Sequence, residues 1–389
     1  MAEFIPFTNC KNSPLERGQY FSKFHAVSNL AQKALSATAI SASLLAPVSA
    51  QEPAKDDFQR YAIVPVLGYT EETKFEYGLM GNLFFKPSFE GGRTSELDII
   101  AYATTENQYS ASISPLFFMM HDRVSGKVYL FYEKWSTHFY GFGNDPDKDI
   151  YRELTRSTFY TEGYLETSLL LPPELSAFKY GVVYKINYSA FDFDDYDGPV
   201  EHPGEVDGWR NGIGYHVNYD TRDNLNWSRH GMFAQWEQKF FPGAFSDYCY
   251  STQELDIRGY SEFIWNTSMA VGFLWQRVDG DVPFDMLAGP DGIKRFRGVK
   301  TNYFSGDQAL FLQTEFRKEL FWRLAGNIFF EGGKVGDYFS DLMRNKWHTG
   351  LGFGGQFALN KSEKLYARAD FSWIDFEQLG ITFYIREAF

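Results

Sequence analysis

The chain of 389 residues carries 50 Asp and Glu against 37 Lys and Arg, and the resulting net charge of −13 excludes a phosphate-neutralising, nucleic-acid-binding surface. No window of about 18 apolar residues occurs, which excludes a helical membrane protein. Aromatic residues make up 19%, more than a soluble all-β protein needs and in keeping with the two interfacial girdles of a membrane barrel.

Residues 1–50 read as a signal peptide. Lys33 leads into the short small-and-apolar stretch ALSATAISASLLAPVSA, which ends in Val48, Ser49 and Ala50, a signal-peptidase pattern just before Gln51. The stretch before Lys33 is long for such a segment, which means an extended n-region or a start codon further in. Cys10 leaves with this segment, so Cys249 is expected to stand alone in the mature protein, and the two cysteines offer no metal spacing. Residues 51–59 form a short polar periplasmic lead. Residues 60–389 form one domain, since no linker, low-complexity tract or composition step divides them.

From Arg60 onward, period-two alternation between turn signals predicts sixteen strands, from about 60–69 to about 379–389. With the N-terminus in the periplasm, the connections on that side are mostly short: HDRVS, LPPELSA, the two-residue turn Trp265–Asn266, and NKSEK. The long ones, at about 141–153, 192–208, 280–306 and 336–346, fall on the other side. An even strand number with loops sorted in this way predicts a sixteen-stranded antiparallel transmembrane β-barrel in a bacterial outer membrane. Lipid leaves no backbone group unpaired, so the first and last strands are expected to close on each other.

Few constellations suggest chemistry. None of the six histidines after the leader (His121, His138, His202, His216, His230 and His348) sits in a nucleophile elbow or an H-E-x-x-H spacing, so no catalytic residue is assigned. The loop at 192–208 crowds seven acids among Gly and Pro, but Phe193 and Gly204 fall where the first and last EF-hand ligands belong. It reads as a solvated acidic loop, with weak divalent bridging to lipopolysaccharide phosphates as the alternative; no metal or cofactor is assigned.

The segment from Val282 to Val335 is the most informative. A Gly/Pro/Asp-punctuated stretch carries a basic cluster of Lys294, Arg295, Arg297 and Lys300 and is followed by two alternating runs. In the first, Phe311, Gln313, Glu315 and Arg317 share a face; in the second, Arg323, Asn327, Phe329 and Glu331 do. Each strand thus presents one carboxylate to the same polar interior, within reach of the basic loop. Alternation alone is equally consistent with ordinary polar-face charges.

Phe296, Arg297, Gly298 and Val299 resemble the (V/I)-R-G-(F/Y) tip of the inward-folding loop of the BamA/TamA superfamily, whose members insert or translocate proteins at outer membranes. The stretch from Gly306 to Glu315, Phe316 and Arg317 resembles that family's G-x(n)-E-(F/L)-R strand, and Phe329 to Val335, with Gly333, its F-x-D-x-G-x-V strand. Glu331 stands where Asp is usual and Val299 where an aromatic is usual. Pro65, Tyr69, Glu72 and Thr73 are similar to the opening hairpin, and Tyr219 to Asp223 to the Y-D-T-R-D strand end. The terminal alternation of Ile381, Phe383, Ile385 and Phe389 resembles the signal by which barrels are recognised for assembly. The resemblance implies an inward-folding lumen loop whose Arg297 meets Glu315 and Glu331 on the wall. It also implies a weakly paired seam, and a role in protein insertion or translocation or in lipid movement. The family's periplasmic substrate-binding repeats find no room in residues 51–59, so such a role calls for a separate periplasmic partner protein beside the outer-membrane lipid and lipopolysaccharide. The alternative is a passive pore or structural surface protein with the loop as a plug.

Overall fold

The computed structural model describes residues 58–70, 74–87, 89–195, 198, 206–301 and 303–386. The leader expected at 1–50, most of the lead, much of the acidic loop and Phe389 lie outside the described residues.

Strands run in sequence: β1 (Tyr61–Thr70), β2 (Lys74–Phe85), β3 (Ser95–Thr104), β4 (Tyr109–Met119), β5 (Val124–Phe139), β6 (Arg152–Thr167), β7 (Phe178–Phe193), β8 (Gly208–Trp209) and β9 (Gly212–Asp220). They continue as β10 (Gly231–Phe241), β11 (Tyr250–Glu262), β12 (Ser268–Gly280), β13 (Gln308–Phe321), β14 (Leu324–Gly336), β15 (His348–Asn360), β16 (Leu365–Ile374) and β17 (Gln378–Ile385). One short helix, α1 (Phe339–Arg344), precedes β15. All ladders are antiparallel between neighbours in sequence, with β7 pairing both β8 and β9.

The expected count of sixteen corresponds to sixteen staves, because β8 and β9 are two pieces of one. Between them Arg210 donates its backbone N–H to the carbonyl of Asn187 at 2.7 Å, while its fully buried guanidinium pairs with Asp285 at 2.9 Å. Pairing with β7 keeps one register from Ser189↔Gly208 to Phe178↔Tyr219, so Arg210 occupies an inward position of a continuous stave.

Alternation sorts the two faces of the sheet. On β14, Ile328 and Phe330 are more than half exposed, while Asn327, Phe329 and Glu331 are buried. The same outward apolar row recurs on β1 (Ile63), β7 (Val182), β15 (Phe353) and β17 (Phe383). A continuous apolar exterior around a polar interior is what lipid on one side and a lumen on the other require. Tight turns assist: Trp265 and Asn266 both take positive φ, 56° and 58°, and so close the β11–β12 hairpin with the twist of its strands.

Closure differs from expectation. Among the described residues no ladder joins β1 to β17, so both remain edge strands. Pro65 at the centre of β1 has no N–H to give, and β17 offers only eight residues. Side chains span the gap instead. Arg386, just past β17, bonds Asp98 at 2.7 Å and Glu96 at 3.0 Å, both on β3. Ala62 of β1, Phe84 of β2 and Leu365 of β16 form one buried cluster, against which Ile385 packs. Cys10, in the expected leader, lies outside the described residues.

Candidate functional site

The connection from β12 to β13, residues 281–307, folds into the lumen. Its tip is built locally. The Asp291 carboxylate accepts the backbone N–H groups of Ile293, Lys294 and Arg295 at 2.7 to 2.9 Å, and the Gly298 N–H returns to the Gly292 carbonyl at 2.9 Å. Gly298 takes φ +83°, a left-handed conformation natural to glycine, and Phe296 is held at +64°. What holds Phe296 there is packing: its ring is buried against Phe304, with Phe311 and Val299 in the same cluster. Gly333 makes the room, since a Cβ there would meet the Phe311 ring at 2.7 Å and Phe296 at 3.2 Å.

Arg297 is thereby delivered, fully buried, to the inner faces of β13 and β14. Its Nε donates to Glu331 Oε1 at 2.6 Å, and its backbone N–H to Glu331 Oε2 at 2.7 Å. Its Nη1 is shared between Glu315 and Asp370, the latter at 3.1 Å. The guanidinium lies 3.5 Å from the centroid of the Phe329 ring, a cation–π contact in a desolvated place.

The network extends beyond these partners. Arg368 on β16 donates to both oxygens of Glu315 at 3.1 and 2.9 Å and to Asp370 at 3.0 Å, and Arg317 reaches Glu315 at 3.4 Å. Three guanidiniums therefore face three carboxylates in one buried cluster, each charge held by charge-assisted hydrogen bonds or ion pairs. Neutral groups complete it: Gln313 donates to Glu331 at 2.9 Å, Asn327 to Asp370 at 3.2 Å, and the Tyr384 hydroxyl to Asp370 at 2.9 Å. Tyr384 belongs to β17, so the cluster reaches the last strand.

The loop tip touches that strand directly. A Cβ on Gly380 of β17 would lie 2.4 Å from the Gly298 carbonyl oxygen, and one on Gly298 would lie 2.9 Å from Ser372 Cβ. Two backbones meet here because neither residue carries a side chain. The turn at 221–230 pushes Trp227 into the same region, where it packs on Tyr366 beneath Arg317. That turn is set by Asp220, which accepts from Arg222 and Arg93, and by Asp223, which accepts the N–H groups of Arg229 and His230.

Phe296, Arg297, Gly298, Glu315, Glu331 and Gly333 thus lie in one buried contact. Of the terminal residues, Ile381 and Phe383 face outward, exposed on the lipid side, and Ile385 packs against the β1–β2–β16 cluster. Sequence reasoning missed Asp370, Arg368 and Tyr384, and also Trp227. Alternation on β16 and β17 assigns the first three to the inner face, but only the curling of the sheet brings that face to the loop tip. Among the described residues no group of His, Cys, Asp or Glu is arranged to hold a metal. The buried His348 stacks on Phe304 of the β12–β13 connection and bonds Asp375, between β16 and β17, at 2.6 Å.

Comparison with known proteins accords with this geometry. Residues 92–354 match the Omp85 superfamily domain. No curated protein matches the chain. Among solved structures it is similar to BamA from Haemophilus ducreyi lacking POTRA domains 1–3, at 14% identity and a TM-score of 0.52, over 84% of this chain and 69% of that one. It is also similar to CdiB from Acinetobacter baumannii, at 13% identity and a TM-score of 0.51, over 84% of this chain and 59% of that one. The chain therefore spans less than two thirds of the CdiB chain, and at these identities the likeness is one of fold.

Proposed function

Because the chain belongs to the Omp85 superfamily and is an outer-membrane β-barrel, we propose that it inserts or translocates protein, or moves lipid, at the seam between β1 and β17. The observation that carries this reading is that β1 and β17 share no ladder among the described residues, with the loop tip seated against the second of them. Unpaired backbone groups in a bilayer are costly, and a client strand or a rearranged lipid boundary would relieve that cost. The loop held by Arg297 keeps the lumen occupied while the seam works, which separates this role from free diffusion through a pore. Recognition of clients is assigned to a separate periplasmic protein. On the same reading residues 1–50 direct export, 51–59 form the lead, and the end of β17 with Phe389 serves as the assembly signal.

The test compares two measurements. Deleting the gene should lower the amounts of other outer-membrane barrels or disturb surface lipid, and the purified protein should conduct little in planar bilayers. Steady ion flow, with the assembly of other barrels and the lipid composition unchanged by the deletion, would overturn the proposal in favour of a passive pore. A pull-down from outer-membrane extract should recover a periplasmic protein.

A further inference from the structure

The connection between β14 and β15 lies on the outside of the barrel wall, and the seam reading does not use it. Gly332 belongs to the outward row of β14 with Ile328 and Phe330, yet it is buried, because the Trp347 ring lies over it; a Cβ there would come within 3.2 Å of the indole. Lys334, next in that row, is covered as well, its ammonium 4.6 Å from the same ring. The connection therefore drapes over the lipid side of the wall. Gly332 is two residues above Phe330, about 7 Å along the strand, which places Trp347 at the upper rim of the apolar belt.

On this rim sits α1. It is fixed to the barrel: Leu342 is fully buried, Gly336 leaves room for Asp341, and Asn345 donates to the Val335 carbonyl at 2.7 Å. Its other face is unpartnered and apolar, with Tyr338, Phe339 and Met343 70%, 61% and 56% exposed. Phe339 and Met343 are four apart and share that face. Arg344 and Lys346 are exposed beside it.

We infer that α1 and Trp347 form an interfacial anchor, whose apolar face enters the boundary between acyl chains and headgroups of the outer leaflet. Continuity with the lipid-facing belt identifies the occupant. An indole at the rim, a lysine stem folded under it and flanking cations are the arrangement by which amphipathic side chains keep apolar bodies in lipid and charges in the headgroup layer. The inference rests on the outer-membrane placement and is independent of any transport role.

A spin label at Phe339→Cys in the full-length protein, reconstituted in phosphatidylcholine vesicles with and without phosphatidylglycerol, tests it. Collisions with oxygen should exceed those with a water-soluble nickel chelate at position 339, and the order should reverse for a label at Arg344→Cys. Preserved heat-modifiability establishes that each variant is folded; should Phe339→Cys fail to fold, Met343→Cys samples the same face. A label at 339 or 343 that is freely accessible to the nickel chelate would overturn the anchor. A label shielded from both reagents in native membranes but not in vesicles would also overturn it, by assigning the face to a protein.

Discussion

At the scale of single residues, the fold commits three arginines and three acids to one water-poor cluster, so removing one member leaves a charge without compensation. Breaking a buried pair of this kind costs about 3 to 5 kcal/mol, against less than about 1 kcal/mol for an exposed one. Arg297 and Glu331 are both at most 1% exposed, which favours the upper range. Arg297→Ala and Glu331→Ala should each lower the midpoint of heat-induced unfolding in detergent, and the double variant should fall little further, because partners in one interaction are not additive. Additive losses would show that the two act separately. Arg297→Lys should also lower the midpoint, since an ammonium cannot serve Glu331, Glu315 and Asp370 from one planar fork. How much of this is legible in the sequence depends on distance along the chain. Alternation assigns Glu315 and Glu331 to the inner wall because each strand reports its own faces. Asp370 and Arg368 report the same alternation, but nothing local links β16 to a loop some 70 residues earlier.

Elements show the same division. Strands with a lipid face and a lumen face announce themselves by period two, and the sixteen staves follow from it. The ion pair that Arg210, between β8 and β9, makes with Asp285 does not, because that partner comes from a distant loop. The contact between Gly298 and Gly380 is equally silent, since a glycine in a strand does not say what approaches it. Gly380→Ala supplies a test at this scale. Gly380 keeps a strand conformation that alanine adopts freely, so its Cβ disturbs only the Gly298 tip, 2.4 Å away at the carbonyl oxygen. The variant should assemble normally but expose the loop near Lys294 and Arg295 to trypsin; unchanged resistance would show that the tip does not depend on this approach. Replacing Phe389 with Asp should have the opposite profile, with assembly reduced and the folded fraction unaltered. Normal surface levels of that variant would refute its part in recognition.

For the molecule as a whole, a wall whose ladders, among the described residues, join every strand to its neighbour except across the seam should persist in mild detergent. The purified protein should migrate faster unboiled than boiled and give a far-UV spectrum dominated by strand. A helical spectrum would overturn the fold. N-terminal sequencing of the same material should read from Gln51, and a start more than a few residues away would move the processing site.

The span from Arg386 to Glu96 and Asp98 carries a consequence of another kind. Backbone ladders are almost indifferent to ionic strength, whereas charges at the ends of side chains are screened over about 10 Å in 0.1 M salt and about 3 Å in 1 M. The Arg386 side chain is 21% exposed, so dissolved ions reach it in part. The Arg386 pairs are therefore open to counterions in a way that backbone ladders are not, and raising the salt concentration should loosen the side-chain link between the end of β17 and β3 before it loosens any ladder.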